Sequence, residues 1–353
     1  MTGGIEARCL DTRAMSRAPL AFIAWSHVSG RSAEIAAELD GEARCFYSPH
    51  LVRRPLVPLR YAVSALQTTA YLLRRRPRAV IVSNPPIFPG LIAFAYGSVA
   101  RAPIVLDSHT GSFGLKQDRV SQLLLPIHVW LARRVAATLV AAEELGEIVR
   151  GWGGRAHVVH EAPPTWAVNP PAPLGDRPHV LCISTFDPDE AVDQVIAAGR
   201  MLPFVDLRIT GDLRRCPAAL RRSAPPNVTF VGFLRGEDYT RALEAANIVI
   251  ALTTEPTSVV RGGYEAVYAG RPLVTSNWPT LRRVFPRAVH VETDAPSIAA
   301  GLRTAIDRYA DLVASAPTAL ALQKQRWDRQ VAVLRSLFSQ GPLPGAQAGA
   351  ARP

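Results

Sequence analysis

The stretch IVIALTTEPTSVVRGGYEAVYAGRPLVT, residues 248–275, gathers polar side chains at spacings that could do chemistry. Residues 248–252 form a β-rich apolar run, 259–269 have helical spacing with Tyr264 and Tyr268 four apart, and Gly270, Arg271 and Pro272 stop the helix before a strand at 273–275. In an open parallel sheet such a loop lies at the carboxyl ends of the strands, and the helix after it points its N–H groups and positive dipole end at the ligand. That favours an anion. Glu265, one turn into the helix, is placed to accept hydrogen bonds from two neighbouring hydroxyls, as on a ribose, and Arg261 in the first turn can hold phosphate oxygens bidentately. Pyrophosphate at the helix end and ribose at the glutamate describe a nucleotide diphosphate, with Ser258, Val259 and Tyr264 as further lining. Asp212, followed by Arg214 and Arg215, stands at another strand end. A second group opens the glycine-rich loop 110–114: His109 ends a strand, and Asp107 can orient its ring or cap the loop.

The segment around Glu265 resembles the donor-binding segment of GT-B glycosyltransferases of the family 4 type. There, two glutamates eight apart flank a loop-to-helix turn followed by Ala-x-x-x-Gly-x-Pro-Val. Glu265, Ala266, Gly270, Pro272 and Leu273 match the second half, while Thr257 stands at the first glutamate, with Glu255 two residues earlier. In the loop 184–190, Thr185 and Glu190 stand where most of that family carry a phosphate-gripping Arg and Lys. The Ser-Thr-x-x-x-Asp-Glu pattern of this loop is similar to that of mannosyltransferases acting on chitobiosyl-diphosphodolichol, as are Asn84-Pro85-Pro86 and Asp107-Ser108-His109. The resemblance implies that His109 lies near the transferred sugar, where a neutral imidazole would orient a sugar hydroxyl or the acceptor.

The elements that position these residues alternate. Strands are expected at 20–25, 79–82, 104–107, 138–140 and 157–159, with helices at 32–39, 88–99, 120–136 and 143–150 between them. The loop 27–31, with His27 and Gly30, lies where an acceptor would be met. After a proline-rich stretch, strands recur at 180–183, 207–210, 228–231, 248–252, 273–275 and 289–291, with helices at 190–201, 238–246, 297–314 and 319–338. This predicts an α/β chain of two Rossmann-like, doubly wound domains. The expected division is a disordered segment 1–17, an acceptor domain 18–162, a linker 163–178, a donor domain 179–316, a C-terminal helix 317–340 and a disordered tail 341–353. The resemblance adds the GT-B arrangement, in which the two domains face each other across a cleft.

Hydrophobic residues are 48% and charged residues 20% of 353, which suits a two-domain globular protein and argues against disorder as the main state. The net charge of +11 asks for an anionic partner. Cys9, Cys45, Cys182 and Cys216 form no C-x-x-C pair, so neither a zinc site nor a disulfide framework is indicated, and a reducing cytoplasm is the expected compartment. No secretory h-region is present, no run reaches the roughly 18 apolar residues of a membrane span, and Met15 could equally be the start.

Charge is unevenly placed. Between Glu42 and Asp107 there is no carboxylate, while Arg44, Arg53, Arg54, Arg60, Arg74, Arg75, Arg76, Arg78 and Arg101 all fall there. Leu59, Val63, Leu66, Ala70 and Leu73 keep helical spacing between arginine clusters. At about 1 kcal/mol per basic residue near an anionic leaflet, half of these would hold the domain to a membrane surface. The alternative is a core helix whose stripe packs inward beneath a solvated basic face. A nucleic-acid role is disfavoured, because Tyr61 and Tyr71 are the interleaved aromatics and no binding motif is recognisable.

These features predict a transferase moving a sugar from a nucleotide-diphosphate donor to a hydroxyl on a lipid-linked or glycan acceptor at the cytoplasmic membrane face, without metal or cofactor. The rivals are a silent relative that partners an active transferase, and a sugar-nucleotide epimerase.

Overall fold

Short runs of Val, Ile, Leu and Ala bounded by turn residues become strands buried on both faces, the pattern of parallel sheets. The computed structural model describes residues 20–27, 29–51, 53–115 and 119–339, with Arg54 and Ser339 described by their backbone alone; the segment 1–17, Cys9 and the tail 341–353 lie outside them. The chain divides into two compact units, one spanning Pro163–Arg326 and the other combining residues up to Ala162 with those from Trp327.

In the first unit, β1 (Leu20–Ala24), β2 (Glu42–Cys45), β3 (Ala79–Asn84), β4 (Ile104–Ser108), β5 (Ala137–Val140) and β6 (Ala156–Val158) form a parallel sheet ordered β2-β1-β3-β4-β5-β6. Its helices are α1 (Gly30–Glu38), α2 (Val57–Arg75), α3 (Phe88–Ala100), α4 (Arg119–Ala132) and α5 (Glu143–Gly151). Strand residues alternate between two cores. Leu20, Phe22, Ile81 and Leu139 meet α1 and the end of α12 (Tyr309–Ser339), whereas Ile23, Val80, Val82 and Leu106 meet α2, α3 and α4.

The second unit runs β7 (His179–Cys182), α6 (Val192–Met201), β8 (Asp206–Thr210), α7 (Ala218–Arg222), β9 (Val228–Gly232), α8 (Gly236–Ala245), β10 (Ile248–Ala251), α9 (Arg261–Tyr268), β11 (Leu273–Ser276), α10 (Pro279–Val284), β12 (Val289–Val291) and α11 (Ala295–Asp307). The strand order is β12-β11-β10-β7-β8-β9, again parallel. In each sheet the order reverses beside the first strand, between β1 and β3 and between β7 and β10. Chains leave these adjacent strands toward opposite faces, which opens a crevice at their carboxyl ends.

Several expected bounds shift for local reasons. The helix expected from 190 is broken, because Pro188–Glu190 forms a separate 3-10 turn and Ala191 takes a positive φ of 47°. The helix expected at 120–136 stops at Ala132, and Ala136 N–H bonds to Ile104 O as the chain enters β5. α9 begins at Arg261, so Ser258 and Val259 belong to the loop before it. One helix, α12, replaces the break expected near 314–319 and passes through Pro317. The half-buried edge strand β2, with Glu42 and Arg44 among its four residues, carried no apolar signal.

The stripe on α2 faces outward. Ser64, Thr68 and Leu72 form the buried face, with Trp25 Nε1–H donating to Thr68 Oγ1 at 2.9 Å, while Leu59, Leu66 and Leu73 are 51%, 72% and 62% exposed. The inward-packing alternative is therefore overturned for these three leucines.

The proline-rich stretch expected as a linker is strapped to the second unit. Trp166 and Val168 pack on its core, and Ala172 O accepts from Tyr309 Oη at 2.7 Å. Arg271, 2% exposed, donates to the carbonyls of Asn169, Leu243, Glu244 and Ala269 at 2.8–3.0 Å. Burial pulls its pKa down, and the four carbonyls replace its water shell. Arg271→Met should cost about 3 kcal/mol of unfolding free energy in urea titration, since it leaves several buried acceptors unmatched; a loss below about 0.5 kcal/mol would show that the strap carries no stability.

Candidate functional site

At the crevice of the second unit, the loop 183–191 after β7 is built on one carboxylate. Glu190 accepts from Ser184 Oγ at 2.6 Å and from the N–H groups of Thr185 and Asp187, closing a reciprocal capping box with Asp187. Thr185 Oγ1 lies 2.8 Å from both Glu190 Oε1 and Asp187 Oδ2. The next carboxylate ties this loop to the one after β10, because Asp189 Oδ2 accepts from Thr253 Oγ1 at 3.0 Å and Asp189 O accepts from Thr254 N–H at 2.7 Å. Glu190 is thus the knot of the loop.

α9 starts hard against the strand ends. A Cβ on Gly262 would lie 3.0 Å from Ile183 Cβ and 3.1 Å from Ala251 Cβ, and one on Gly263 would lie 2.6 Å from Phe285 Cε2. The N-cap residue of this helix, Val260, makes no side-chain cap hydrogen bond, and the helix starts beside the carboxyl ends of β7 and β10. Arg261 is the first helical residue, and its Nε donates to Glu265 Oε1 at 3.2 Å. The other oxygen, Glu265 Oε2, accepts from Tyr239 Oη on α8. Burial, followed by the charge of Glu265, pushes the Tyr239 phenol up, so it remains a donor that fixes the carboxylate.

Each remaining sequence candidate of this unit has a definite place. Thr257, Ser258 and Val259 are half-buried in the loop before α9, and Thr185 is exposed beside Glu190. Asp212 is held down to about 2 by hydrogen bonds from Arg214, at 2.7 and 3.0 Å, and Arg215 pairs with Asp187. Tyr264 is corrected: it is 2% exposed with its ring edge-on to Phe285 at 5.0 Å, so it packs the core instead of lining a ligand surface.

In the first unit the crevice edge carries the loop after β1, with His27 exposed and edge-on to Tyr47, and Gly30 as the first residue of α1. Asp107, 1% exposed at the end of β4, receives Arg31 Nε and Nη2 at 3.0 Å and lies 3.4 Å from His109 Nε2. Burial alone would raise its pKa; the Arg31 guanidinium and His109 outweigh burial and hold the carboxyl well below the usual range. Arg31 also donates to Val159 O at 2.9 Å, His160 O at 3.1 Å and Glu161 Oε1 at 3.2 Å. The His109 side chain, 46% exposed, is thereby presented to solvent by a fixed carboxylate. Arg53, Arg74 and Arg76 are exposed on and around α2, Arg75 pairs with Glu42 at 3.0 Å, and Arg54 lies in a 3-10 turn. Arg74, Arg75 and Arg76 stand at the far end of α2 from the His109 loop, whereas Arg53 and Arg54 precede α2, on the carboxyl edge of the sheet that also carries that loop.

Sequence reasoning missed Arg31 and Tyr239 as site residues. An arginine in the first turn of α1 opposes the helix dipole, and that unfavourable placement was the available signal for a buried carboxylate partner. Tyr239 gave no local signal, because its partner is 26 residues away.

The loop behind His109 rests on His128, which is 1% exposed. Its Nε2 lies 3.0 Å from Ser108 Oγ and its Nδ1 lies 3.0 Å from Ser112 O, with Phe113 and Trp152 against its ring. Burial lowers its pKa from 6.5 to about 4. The unfolded chain therefore binds a proton before the folded one does, and stability falls as pH drops from 6.5 toward 4. Thermal unfolding at pH 5 should show about 2 kcal/mol less stability from this residue than at pH 7.5, and His128→Gln should flatten that slope. An unchanged slope in the variant would place the titration elsewhere.

No family model and no curated protein sequence matches the chain. Solved structures do. Sucrose-phosphate synthase (tll1590) from Thermosynechococcus elongatus superposes with a TM-score of 0.69 at 16% identity, covering 92% of this chain and 99% of that one. Anabaena Alr3699/HepE in complex with UDP-glucose gives 0.67 at 17% identity, covering 91% and 98%. UDP-GlcNAc 2-epimerase from Neisseria meningitidis bound to UDP-GlcNAc gives 0.57 at 10% identity, covering 91% and 99%. With its two parallel six-stranded sheets and flanking helices, the chain has the two-domain α/β fold of the GT-B glycosyltransferases.

Proposed function

We propose that the chain transfers a sugar from a nucleotide-diphosphate donor, bound by the second unit, to a hydroxyl of a lipid-linked or glycan acceptor on the first-unit side, at the cytoplasmic face of a membrane. The observation that carries this reading is the start of α9: an uncapped helix end with Arg261 beside it and Glu265 clamped by Tyr239, at a switch point between parallel strands. The helix end and Arg261 would take the diphosphate, and Glu265 the ribose hydroxyls. Anabaena HepE, which shares the fold, is seen with UDP-glucose, so uridine nucleotides are the first to try.

The chemistry asked of the protein is alignment of an acceptor oxygen with the anomeric carbon, and stabilisation of the departing diphosphate. His109, held by Asp107, would orient the reacting hydroxyl. No metal or cofactor enters this reading. Because Thr185, Glu190 and Thr257 stand where the family that this segment resembles carries residues that grip the donor, a donor-binding partner protein without turnover is the second reading.

A thermal-shift panel of UDP, GDP, ADP and dTDP with their sugar conjugates, with and without EDTA, tests the donor site. Saturation at a hundredfold excess over Kd should add about 2.7 kcal/mol of stability for one base. Glu265→Gln, Arg261→Ala and Tyr239→Phe should each weaken that shift. A shift equal in all three variants, or none with any nucleotide, would sink the assignment.

His109→Ala should keep the donor shift and lower kcat with a working acceptor by about a hundredfold. Donor binding with no transfer to any lipid-linked or glycan acceptor would favour the partner reading, and a sugar altered without acceptor would favour an epimerase.

A further inference from the structure

We infer that the outward surface of α2, α3 and α4 is a docking face for an anionic lipid bilayer. This deepens the membrane-face part of the proposed function and rests on it. The three helices lie side by side on one face of the first sheet, held there by Leu72, Ala93 and Leu131. Their outer surfaces form one layer, in which large apolar side chains stand exposed among a few uncharged polar ones. Leu59, Leu66 and Leu73 repeat every seven residues along α2, and Val99 on α3 is 88% exposed. On α4, Val120 and Leu123 are 62% and 77% exposed. Between α3 and α4, Leu91, Pro126, Ile127 and Trp130 line an open groove.

The charge of the layer is of one sign. None of the residues of α2, α3 or α4 is Asp or Glu. Arg53 and Arg119 stand exposed near the helix starts, and Arg74, Arg76, Arg101 and Arg134 near the helix ends. Arg134 lies over the Trp130 ring at 4.5 Å, the pairing of an indole with a cation that suits the level of lipid headgroups. Apolar side chains in the middle with arginines at both ends match helices lying in the plane of an interface, the stems packing on hydrocarbon and the guanidinium groups on phosphate. No helix among the described residues is long and apolar enough to cross a membrane, so contact would be from one side.

Other occupants fit less well. A second copy meeting this face by two-fold symmetry would set arginine against arginine. A nucleic acid would use the charge but leave the exposed leucines and valines in water, because stacking needs aromatic platforms.

The test is co-sedimentation of the full chain with phosphatidylcholine vesicles, with and without about 30 mol% phosphatidylglycerol, at about 0.1 M salt. Binding to the anionic vesicles should exceed binding to neutral ones by about tenfold or more. Leu66→Glu with Leu73→Glu should remove most of it while the protein stays folded, because both positions face solvent; Arg74→Glu with Arg76→Glu should do the same. No anionic preference, binding indifferent to both pairs, tighter retention of single-stranded RNA at the same salt, or a dimer that the leucine variants dissolve would each overturn the inference. The nucleotide shift separates the two readings. A shift without vesicle binding removes the docking face alone, and vesicle binding without a shift removes the donor site alone.

Discussion

A guanidinium taken out of water at the positive end of a helix is the constraint around which the first unit is arranged. Arg31 is 7% exposed, and an isolated charge there would cost several kcal/mol. Its acceptors come from separate segments: Asp107 at the end of β4, and Val159, His160 and Glu161 after β6. Meeting all of them fixes the start of α1 against two strand exits. Asp107 cannot shift without exposing that charge, and so His109, two residues on, inherits a set position. Asn84 and His128 secure the same corner from the other side through Ser108.

The second unit reaches order differently. Its carboxylates are met by hydroxyls, backbone N–H groups and arginines, and Glu190 alone organises most of a loop. The glutamate draws hydroxyl and backbone N–H groups inward and so makes the loop rigid. Gly262 lets the start of α9 approach the strand ends at Ile183 and Ala251, and Gly263 lets it approach the Phe285 ring, because a Cβ would crowd each contact.

The fold was legible because parallel strands buried on both faces read as apolar runs, and the turn residues between them are Gly, Pro, Asn and Asp. What escaped was either polar or long-range. The edge strand β2 has no apolar run, and the proline-rich stretch looked like a tether because its anchors, Arg271 and Tyr309, lie more than 100 residues away. Within the candidate site, Glu265 and Arg261 were visible from their place on a helix, but Tyr264 shared their spacing and packs inward. Helical spacing gives faces without saying which face is wet. The α2 stripe left two faces open in the same way, and its buried side is made by Ser64 and Thr68, whose small size lets the helix lie close to the sheet.

The division of the chain also orders events in time. The first unit is interrupted: its core needs Trp327, Val331 and Leu334, which follow the whole of the second unit. During synthesis the interval Pro163–Arg326 can complete its own core while α1 and the sheet face beneath α12 still lack their cover. Contacts spanning some 300 residues close the first unit, such as Arg335 Nη2 to Glu38 O at 2.9 Å, and closures of this span are slow to find. The nascent first unit therefore carries an exposed apolar sheet face until the last helix arrives, and truncation within that helix would leave the early half of the protein a client for chaperones while the later half folds.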